Sequence, residues 1–166
     1  MPTQTFKNLL EQEPAIIFDG AMGTLLYARG GFINQCFDAL NLQNPEIVEQ
    51  IHREYVKAGA MVIETNTFGA NRLKLKSFNL EDRVMDINME GARIARRAAE
   101  KSALIAGSIG PLGVPIEPWG PTSHDQARQI FKEHATGLIR GGIDVFILET
   151  FGNVVELEQA VTGVHL

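Results

Sequence analysis

The sequence contains a single cysteine, Cys36. One cysteine excludes an internal disulfide framework and fits the reducing conditions of the cytoplasm, which is the location we expect. Histidine is also sparse, and no pair of histidines has the spacing of metal ligands. A metal site built from this chain's own cysteines and histidines is therefore not predicted.

Basic clusters and long apolar runs are missing as well. The formal net charge is −5, and the densest basic group is Arg96, Arg97 and Lys101. Nucleic acid and anionic membranes are therefore poor candidates for partners. No stretch approaches the ~20 apolar residues of a membrane span, and the first residues lack a signal-peptide pattern. With 45% hydrophobic and 21% charged residues, the chain is expected to form one domain over residues 1–166, with no second domain.

Short apolar runs alternate with amphipathic stretches along the chain. Four runs predict strands, at residues 15–19, 61–66, 103–108 and 143–150. They are continuous rather than alternating, which is typical of parallel strands buried on both faces. Helices are predicted from the cap Asn44, over residues 82–100, from the cap Ser123 to Gly141, and from Asn153 onward. This order predicts an α/β fold, either an open doubly wound sheet or part of a (β/α)₈ barrel.

Polar and small residues follow the predicted strands. They are Asp19 and Gly20, then Glu64 and Asn66, then Ser108 and Gly110, and finally Glu149 and Thr150. Ligands bind at the carboxyl ends of parallel strands, so the three acids are expected to face one opening. Three carboxylates at one opening are costly unless a cation meets them. That cation could be a substrate ammonium, a metal ion or an arginine of the protein.

Two histidines and the cysteine have simpler interpretations. His52 and His134 fall on apolar helix faces, and we expect them to be buried packing residues whose hydrogen bonds are satisfied. Cys36 lies beside Phe37 with no other cysteine or histidine near it in sequence, so burial is expected rather than reactivity.

The strand ends resemble a known family. The segments FDGAMGTLL, AGAMVIETNTFGAN, IAGSIGPLG and GGIDVFILETF occur in order and span nearly the whole chain. Together they resemble the N-terminal part of the homocysteine S-methyltransferase family, in particular the homocysteine-binding module of cobalamin-dependent methionine synthases or of bacterial fusions with methylenetetrahydrofolate reductase.

The resemblance implies a (β/α)₈ TIM barrel, of which this chain covers about the first four βα units. It also implies a zinc ion that holds homocysteine as a thiolate, which then accepts a methyl group to form methionine. Asp19 and Glu149 match the acids expected to bind the homocysteine ammonium. Gly20, Thr150 and Ser108 to Gly110 would shape the pocket, and Glu64 and Asn66 are candidates with less support from the family pattern.

The sequence departs from the family in its cysteines. The family holds zinc through three cysteines, two of them in a Gly-Gly-Cys-Cys segment, and no such segment occurs here. We therefore expect the zinc ligands to lie beyond Leu166, with Cys36 not among them. On this interpretation the chain alone is catalytically silent and poorly soluble, and needs the rest of the barrel or a second copy to cover its open edges.

Three functions remain open from the sequence. The first is the methyltransferase module, with a methyl donor such as methylcobalamin or a methyltetrahydrofolate-derived group. The second is a non-catalytic half-barrel that dimerises or binds an amino acid. The third is a Mg²⁺-dependent barrel lyase, although such an enzyme usually needs a lysine or histidine base that no strand end supplies.

Overall fold

A computed structural model describes residues 5–31 and 34–165. The helices are α1 (Phe6–Gln12), α2 (Met22–Ala28), α3 (Leu40–Gln43), α4 (Pro45–Lys57), α5 (Arg72–Lys76), α6 (Val84–Ala99), α7 (His124–Gly141) and α8 (Val154–Val164), with a 3₁₀ helix at Glu81–Arg83. The strands are β1 (Val62–Glu64), β2 (Leu104–Ile109) and β3 (Val145–Leu148). None of the helices in the described ranges is long and apolar enough to cross a membrane.

The three strands form one parallel sheet in the order β1-β2-β3. Val62 pairs with Leu104, and Ala106 pairs with Val145. Helices α6 and α7 connect consecutive strands and pack against each other, and α8 packs on α7. This arrangement confirms the predicted parallel α/β fold and brings the carboxyl ends of the strands to one edge.

The first predicted strand is only partly formed. Phe18 makes one isolated parallel bridge to Val62. The N–H of Met61 donates to the Ile17 carbonyl at 2.8 Å, and the N–H of Asp19 donates to the Val62 carbonyl at 3.0 Å. The prediction of a strand over residues 15–19 was therefore wrong in extent, because the next donor of the ladder, the Glu64 N–H, donates to the Asp19 side chain rather than to its backbone carbonyl. Its predicted place, parallel to β1, was correct.

The prediction that every strand is buried on both faces fails for β3. All six residues of β2 are buried, whereas all four residues of β3 are only partly buried. The strand β3 is an edge of the described sheet and has a neighbouring strand on one side only. Phe146 and Leu148 still pack against the cluster around Phe131, which anchors the strand to α7.

The predicted helix caps have different outcomes. Ser123 forms a reciprocal capping box with Gln126, and the Asn153 side chain accepts from the N–H groups of Val155 and Glu156, so both predictions are confirmed. The Asn44 side chain makes no cap hydrogen bond. Asn44 is nevertheless the N-cap residue of α4, with Pro45 at the first helical position as predicted, and its backbone N–H donates to the Leu40 carbonyl at the end of α3.

The helix predicted over residues 82–100 divides into the 3₁₀ turn and α6. Both predicted packing histidines, His52 and His134, are fully buried, in α4 and α7. Their ring nitrogens, however, have no hydrogen-bond partner of ordinary geometry among the described residues, so the expectation of satisfied rings was wrong. Burial lowers the pKa of His52 to about 4 and that of His134 to about 3, so both rings are neutral at physiological pH.

Candidate functional site

A cavity of about 880 Å³ opens at the carboxyl edge of the sheet. The turn after residue 19 and the segments that follow β1 and β3 contribute its walls. Asp19, Glu64 and Glu149 all line this cavity, together with Gly20, Asn66, Ser108 and Thr150. The structure therefore brings together seven of the eight residues singled out from the sequence, and Gly110 lies outside the lining.

Asp19 is held by the backbone of the neighbouring strand. The N–H of Glu64 donates to both carboxylate oxygens of Asp19, with N···O distances of 3.1 Å each. Burial raises the pKa of the Asp19 carboxyl to about 7, with a smaller contribution from the negative charge of Glu149. The Asp19 side chain is thus oriented by hydrogen bonds, but its negative charge is poorly balanced by its surroundings.

Glu149 is held by two hydroxyl groups. Ser108 Oγ donates to Oε1 at 2.6 Å, and Thr150 Oγ1 approaches Oε2 at 3.4 Å. Thr150 itself has a φ of +60°, in the left-handed region that β-branched residues rarely adopt. Backbone strain of this kind is concentrated at functional sites, where the surrounding structure must enforce it.

Glu64 completes the group of acids. Its side chain interacts electrostatically with the carboxyl groups of Glu149 and Asp19. Burial, followed by the charges of Glu149 and Asp19, raises the pKa of Glu64 to about 8. At neutral pH this carboxyl is therefore mostly protonated.

The turn that carries Asp19 packs against α4. Tyr55 Oη donates to the Ala21 carbonyl at 3.3 Å. A Cβ atom placed on Gly20 would lie 2.9 Å from Tyr55 Oη, so a side chain at this position would collide with the tyrosine. Gly20 thus leaves room for the close approach of the Tyr55 side chain of α4, a contact that the sequence pattern did not reveal.

A hydroxyl network joins the ends of β1 and β2. Thr67 Oγ1 donates to the Ser108 carbonyl at 2.8 Å, and the Ser108 N–H donates to Thr65 Oγ1 at 3.0 Å. The two threonine hydroxyls lie 2.6 Å apart. This network fixes the backbone of Ser108 and so aims its hydroxyl at Glu149. Thr67 was not predicted as a functional residue, because its partner Ser108 lies more than 40 positions along the chain.

Asn66 and Gly110 have mainly structural contacts. Asn66 lines the cavity, but its Nδ2 donates to the Phe37 carbonyl at 2.8 Å and to Asn41 Oδ1 at 3.0 Å. Gly110 lies beneath the Phe68 ring, where an added Cβ would come within 2.4 Å of a ring carbon. Gly110 therefore shapes the cavity through Phe68, which does line it.

Lys74 is the basic residue among the described residues that line the cavity. Its Nζ lies 4.5 Å from the centroid of the Phe68 ring, a cation–π contact. Lys74 also interacts electrostatically with Asp38 and Glu156. This lysine was not predicted, because it lies on the short helix α5, whose five residues give no clear periodic signal.

Cys36 is buried, as predicted, and its Sγ lies 3.9 Å from Asp38 Oδ2. Burial and the adjacent Asp38 raise the pKa of the thiol to about 11, which opposes formation of a thiolate. In the described ranges no three His, Cys, Asp or Glu side chains are grouped as they would be to hold a metal ion. These residues do not fit the zinc that the resemblance implies.

Comparisons with known proteins agree on one family. Residues 16–165 match the family model described as homocysteine S-methyltransferase. The chain is 36% identical over 162 residues to methionine synthase of Mycobacterium tuberculosis (strain ATCC 25618 / H37Rv), covering 89% of this chain and 13% of that protein. It is 35% identical over 172 residues to methionine synthase of Mycobacterium leprae (strain TN), covering 94% and 14%.

The fold has solved counterparts. The metallated form of the homocysteine methyltransferase MmuM from Escherichia coli superposes with a TM-score of 0.80 at 26% identity, covering 91% of this chain and 59% of that chain. With the oxidized form of the same protein, the TM-score is 0.81, and the match covers 92% of this chain and 59% of the MmuM chain. The chain thus spans about one seventh of the curated methionine synthases and less than two thirds of the MmuM chain.

Proposed function

The chain belongs to the homocysteine S-methyltransferase family, and from that premise we propose that its cavity binds homocysteine as the acceptor of a methyl group. Asp19 and Glu149 bind the ammonium group of the amino acid. The homocysteine sulfur, after losing its thiol proton, takes the methyl group from a separate methyl donor, whose bond to that methyl group breaks, and methionine and the demethylated donor are formed.

One observation carries the proposal. Asp19, Glu64 and Glu149 come from three separate segments and line a single cavity. The electrostatic neighbours of Asp19 and Glu64 are other carboxyl groups, which disfavour ionisation, rather than a basic side chain. Lys74, which could have neutralised them, interacts with Asp38 and Glu156 instead. A cationic ligand would supply the missing charge, and the ammonium group of an amino acid is such a ligand.

The described residues support recognition of the acceptor in three ways. The Glu64 N–H orients Asp19, the hydroxyls of Ser108 and Thr150 orient Glu149, and the resulting pair can accept hydrogen bonds from one ammonium group. Partial burial strengthens these charge-assisted hydrogen bonds. Binding the amino group would leave the sulfur end of the acceptor free for reaction.

Isothermal titration calorimetry tests the proposal with L-homocysteine and L-methionine as ligands. The matched control ligand is 4-(methylthio)butanoic acid, which is methionine without its amino group. We expect both amino acids to bind and the deaminated compound to bind at least tenfold more weakly, because a charge-assisted hydrogen bond contributes about 1.5–3 kcal/mol. Equal binding of methionine and its deaminated analogue would contradict the proposal.

Methyl transfer itself is a separate measurement. The chain would be expressed together with the remaining part of the barrel from a family member, and methionine formation would be followed with wild-type chain and with Glu149→Gln. We expect the variant to raise KM for homocysteine more than it lowers kcat, because Glu149 holds the amino group and not the sulfur. An unchanged KM would remove Glu149 from the acceptor site.

A further inference from the structure

We propose that helix α1 positions Asp19 for the ligand ammonium, through the contact between the rings of Phe6 and Phe18. Phe6 is then a positioning residue, because it lies outside the cavity lining and acts through the residue next to Asp19. The inference rests on the proposed function and gives a role in binding to a helix that does not itself line the cavity.

The site and α1 lie on the same face of the sheet. Side chains alternate between the two faces along a strand, so Glu149 shares a face with Ile147, and Ser108 shares a face with Ala106. The ladder extends to Glu149, whose N–H donates to the Ile109 carbonyl at 3.1 Å. Ala106 and Ile147 pack in the apolar cluster that contains the buried leucine of α1. On this inner face, the site residues therefore lie toward the carboxyl end, and α1 covers the residues that precede them.

Helix α1 is anchored on the inner face by one leucine. Leu9 is 2% exposed and packs in a cluster with Val62 of β1 and Leu104 of β2. The opposite face of the sheet is covered by other helices, and Ile105 packs there in a cluster with Ala95 of α6. Helix α1 therefore packs on the face that carries the site, whereas α6 packs on the face away from it.

The segment that leads to Asp19 has limited support from the sheet. It makes one isolated bridge, between Phe18 and Val62. The next donor of β1, the Glu64 N–H, donates to the Asp19 side chain and does not extend the ladder. The side chain of Ile17 is 59% exposed, so it contributes little packing. The position of Asp19 therefore depends on how the side chain of Phe18 is held.

Phe18 is held by α1. The ring centroids of Phe6 and Phe18 are 6.4 Å apart and the ring planes are inclined by 77°, which is the edge-to-face arrangement that aromatic pairs favour. Phe18 also packs against the cluster that contains Leu9. Because Phe18 and Asp19 are consecutive residues, a shift of the Phe18 side chain moves the backbone that carries the Asp19 carboxylate.

An ammonium group must meet Asp19 and Glu149 at the same time. Glu149 is fixed independently of α1, by the hydroxyl of Ser108 at 2.6 Å. A displacement of Asp19 alone would therefore spoil the geometry of its hydrogen bond to the ammonium, and hydrogen bonds weaken steeply when they are long or bent. We expect loss of the Phe6 ring to weaken ammonium binding by about two- to tenfold, the change in affinity that corresponds to one aromatic pair.

Calorimetry of the 166-residue chain tests the inference with two ligands. The quantity measured is the ratio of the affinity for L-methionine to the affinity for 4-(methylthio)butanoic acid, which lacks the amino group. Phe6→Leu keeps an apolar side chain but removes the ring. We expect it to lower the ratio by about two- to tenfold, through weaker methionine binding at unchanged affinity for the deaminated compound.

Three further variants make the test specific to the ring. Phe6→Tyr keeps the ring and should retain the wild-type ratio. Leu10→Ala changes an exposed position of the same helix and is the matched control, which should also retain the ratio. Phe6→Met is a second variant without a ring and should lower the ratio as Phe6→Leu does. Circular dichroism verifies that each variant is folded, and Phe6→Met decides if Phe6→Leu does not fold.

The outcomes separate this inference from the proposed function. If the wild-type chain binds methionine and its deaminated analogue equally, the ammonium site is contradicted, and the inference with it. If the wild-type chain prefers methionine and the folded ringless variants show the same preference, the inference is overturned and the ammonium site stands. Equal weakening of both ligands in the ringless variants would also overturn it, because Phe6 would then support the cavity in general rather than Asp19.

Discussion

The backbone N–H of Glu64 donates to both carboxylate oxygens of Asp19, with N···O distances of 3.1 Å each. This relationship separates two roles at one position. The main chain of residue 64 orients Asp19, and the side chain of residue 64 lines the same cavity as Glu149 and interacts with it electrostatically. A substitution of the Glu64 side chain can therefore change the charge of the site without releasing Asp19.

Asp19→Asn tests the oriented acid. The amide has one acceptor oxygen in place of two and carries no negative charge, so it would bind an ammonium group weakly. We expect the affinity for L-homocysteine to fall at least tenfold, as is usual when one partner of a partly buried charge pair is removed. Calorimetry measures the loss, with Glu158→Gln as the control for a neutralised carboxylate outside the site. Wild-type affinity in Asp19→Asn would place the ammonium elsewhere.

Gly20→Ala tests the contact between the first turn and α4. The added methyl group would lie 2.9 Å from Tyr55 Oη, so the turn or the tyrosine must move. We expect a destabilisation of about 1–3 kcal/mol, typical of overpacking, together with weaker homocysteine binding. The measurement is urea denaturation followed by calorimetry.

The double variant Gly20→Ala with Tyr55→Phe gives the matched control for that prediction. Removing the hydroxyl takes away the nearest colliding atom, so part of the stability and affinity should return. Tyr55→Phe alone should cost little, because it removes one hydrogen bond of 3.3 Å. If the losses in the free energy of unfolding are additive in the double variant, the steric contact between Gly20→Ala and Tyr55 is contradicted.

The site acids should lower stability as pH rises. An acid with a raised pKa in the folded state binds more protons in the folded chain than in the unfolded chain. Its contribution to the free energy of unfolding therefore decreases as pH rises from about 4 toward its folded pKa. For Glu64, with a pKa raised to about 8, Glu64→Gln should gain stability relative to wild type between pH 5 and pH 8. After allowance for solvent screening at this partly exposed group, the gain is roughly 1 kcal/mol.

Urea denaturation of both proteins at several pH values measures this difference. Glu158→Gln should show no such trend. A Glu64→Gln variant that loses stability relative to wild type as pH rises would reverse the sign and contradict a protonated Glu64.

His52 should make the fold sensitive to acid. Burial lowers the pKa of His52 to about 4. Between pH 6.5 and pH 4 the histidine is therefore protonated in the unfolded chain but neutral in the folded chain, which lowers the free energy of unfolding. His52→Leu removes this penalty and should gain up to about 3 kcal/mol relative to wild type over that range. Near pH 7 the two proteins should differ by about 1 kcal/mol or less.

His165→Leu, at an exposed position, serves as the control for His52→Leu. The two variants would be compared with wild type by urea denaturation at pH 4.5, 5.5 and 7. Parallel loss of stability in His52→Leu and wild type between pH 6.5 and pH 4 would assign the acid sensitivity to other groups.

Local patterns predicted most of the fold and the three acids of the site. Apolar runs that end in Asp19, Glu64 and Glu149 are visible in the sequence, and parallel strands bring such ends to one edge. The contacts that orient these acids could not be predicted in the same way. Tyr55 packs on Gly20, and Thr65 and Thr67 form hydrogen bonds with Ser108. These residues are far apart in the sequence and meet only when the chain folds.

The exact length of individual strands and the hydrogen bonds at helix ends could not be predicted from the sequence either. The run at residues 15–19 has strand composition, yet it forms only the bridge between Phe18 and Val62, because the Glu64 N–H donates to the Asp19 side chain instead of continuing the ladder. Asn44 is the N-cap residue of α4, as predicted, but its side chain makes no cap hydrogen bond. The sequence pattern predicted where this helix begins but not which hydrogen bonds satisfy its first turn.

The most direct test of the account is a crystal structure of the chain with L-homocysteine bound. We expect the amino nitrogen to lie within hydrogen-bond distance of carboxylate oxygens of both Asp19 and Glu149, with the sulfur directed away from them. Homocysteine bound with its carboxylate or its sulfur toward Asp19 and Glu149, or bound outside this cavity, would contradict the central claim.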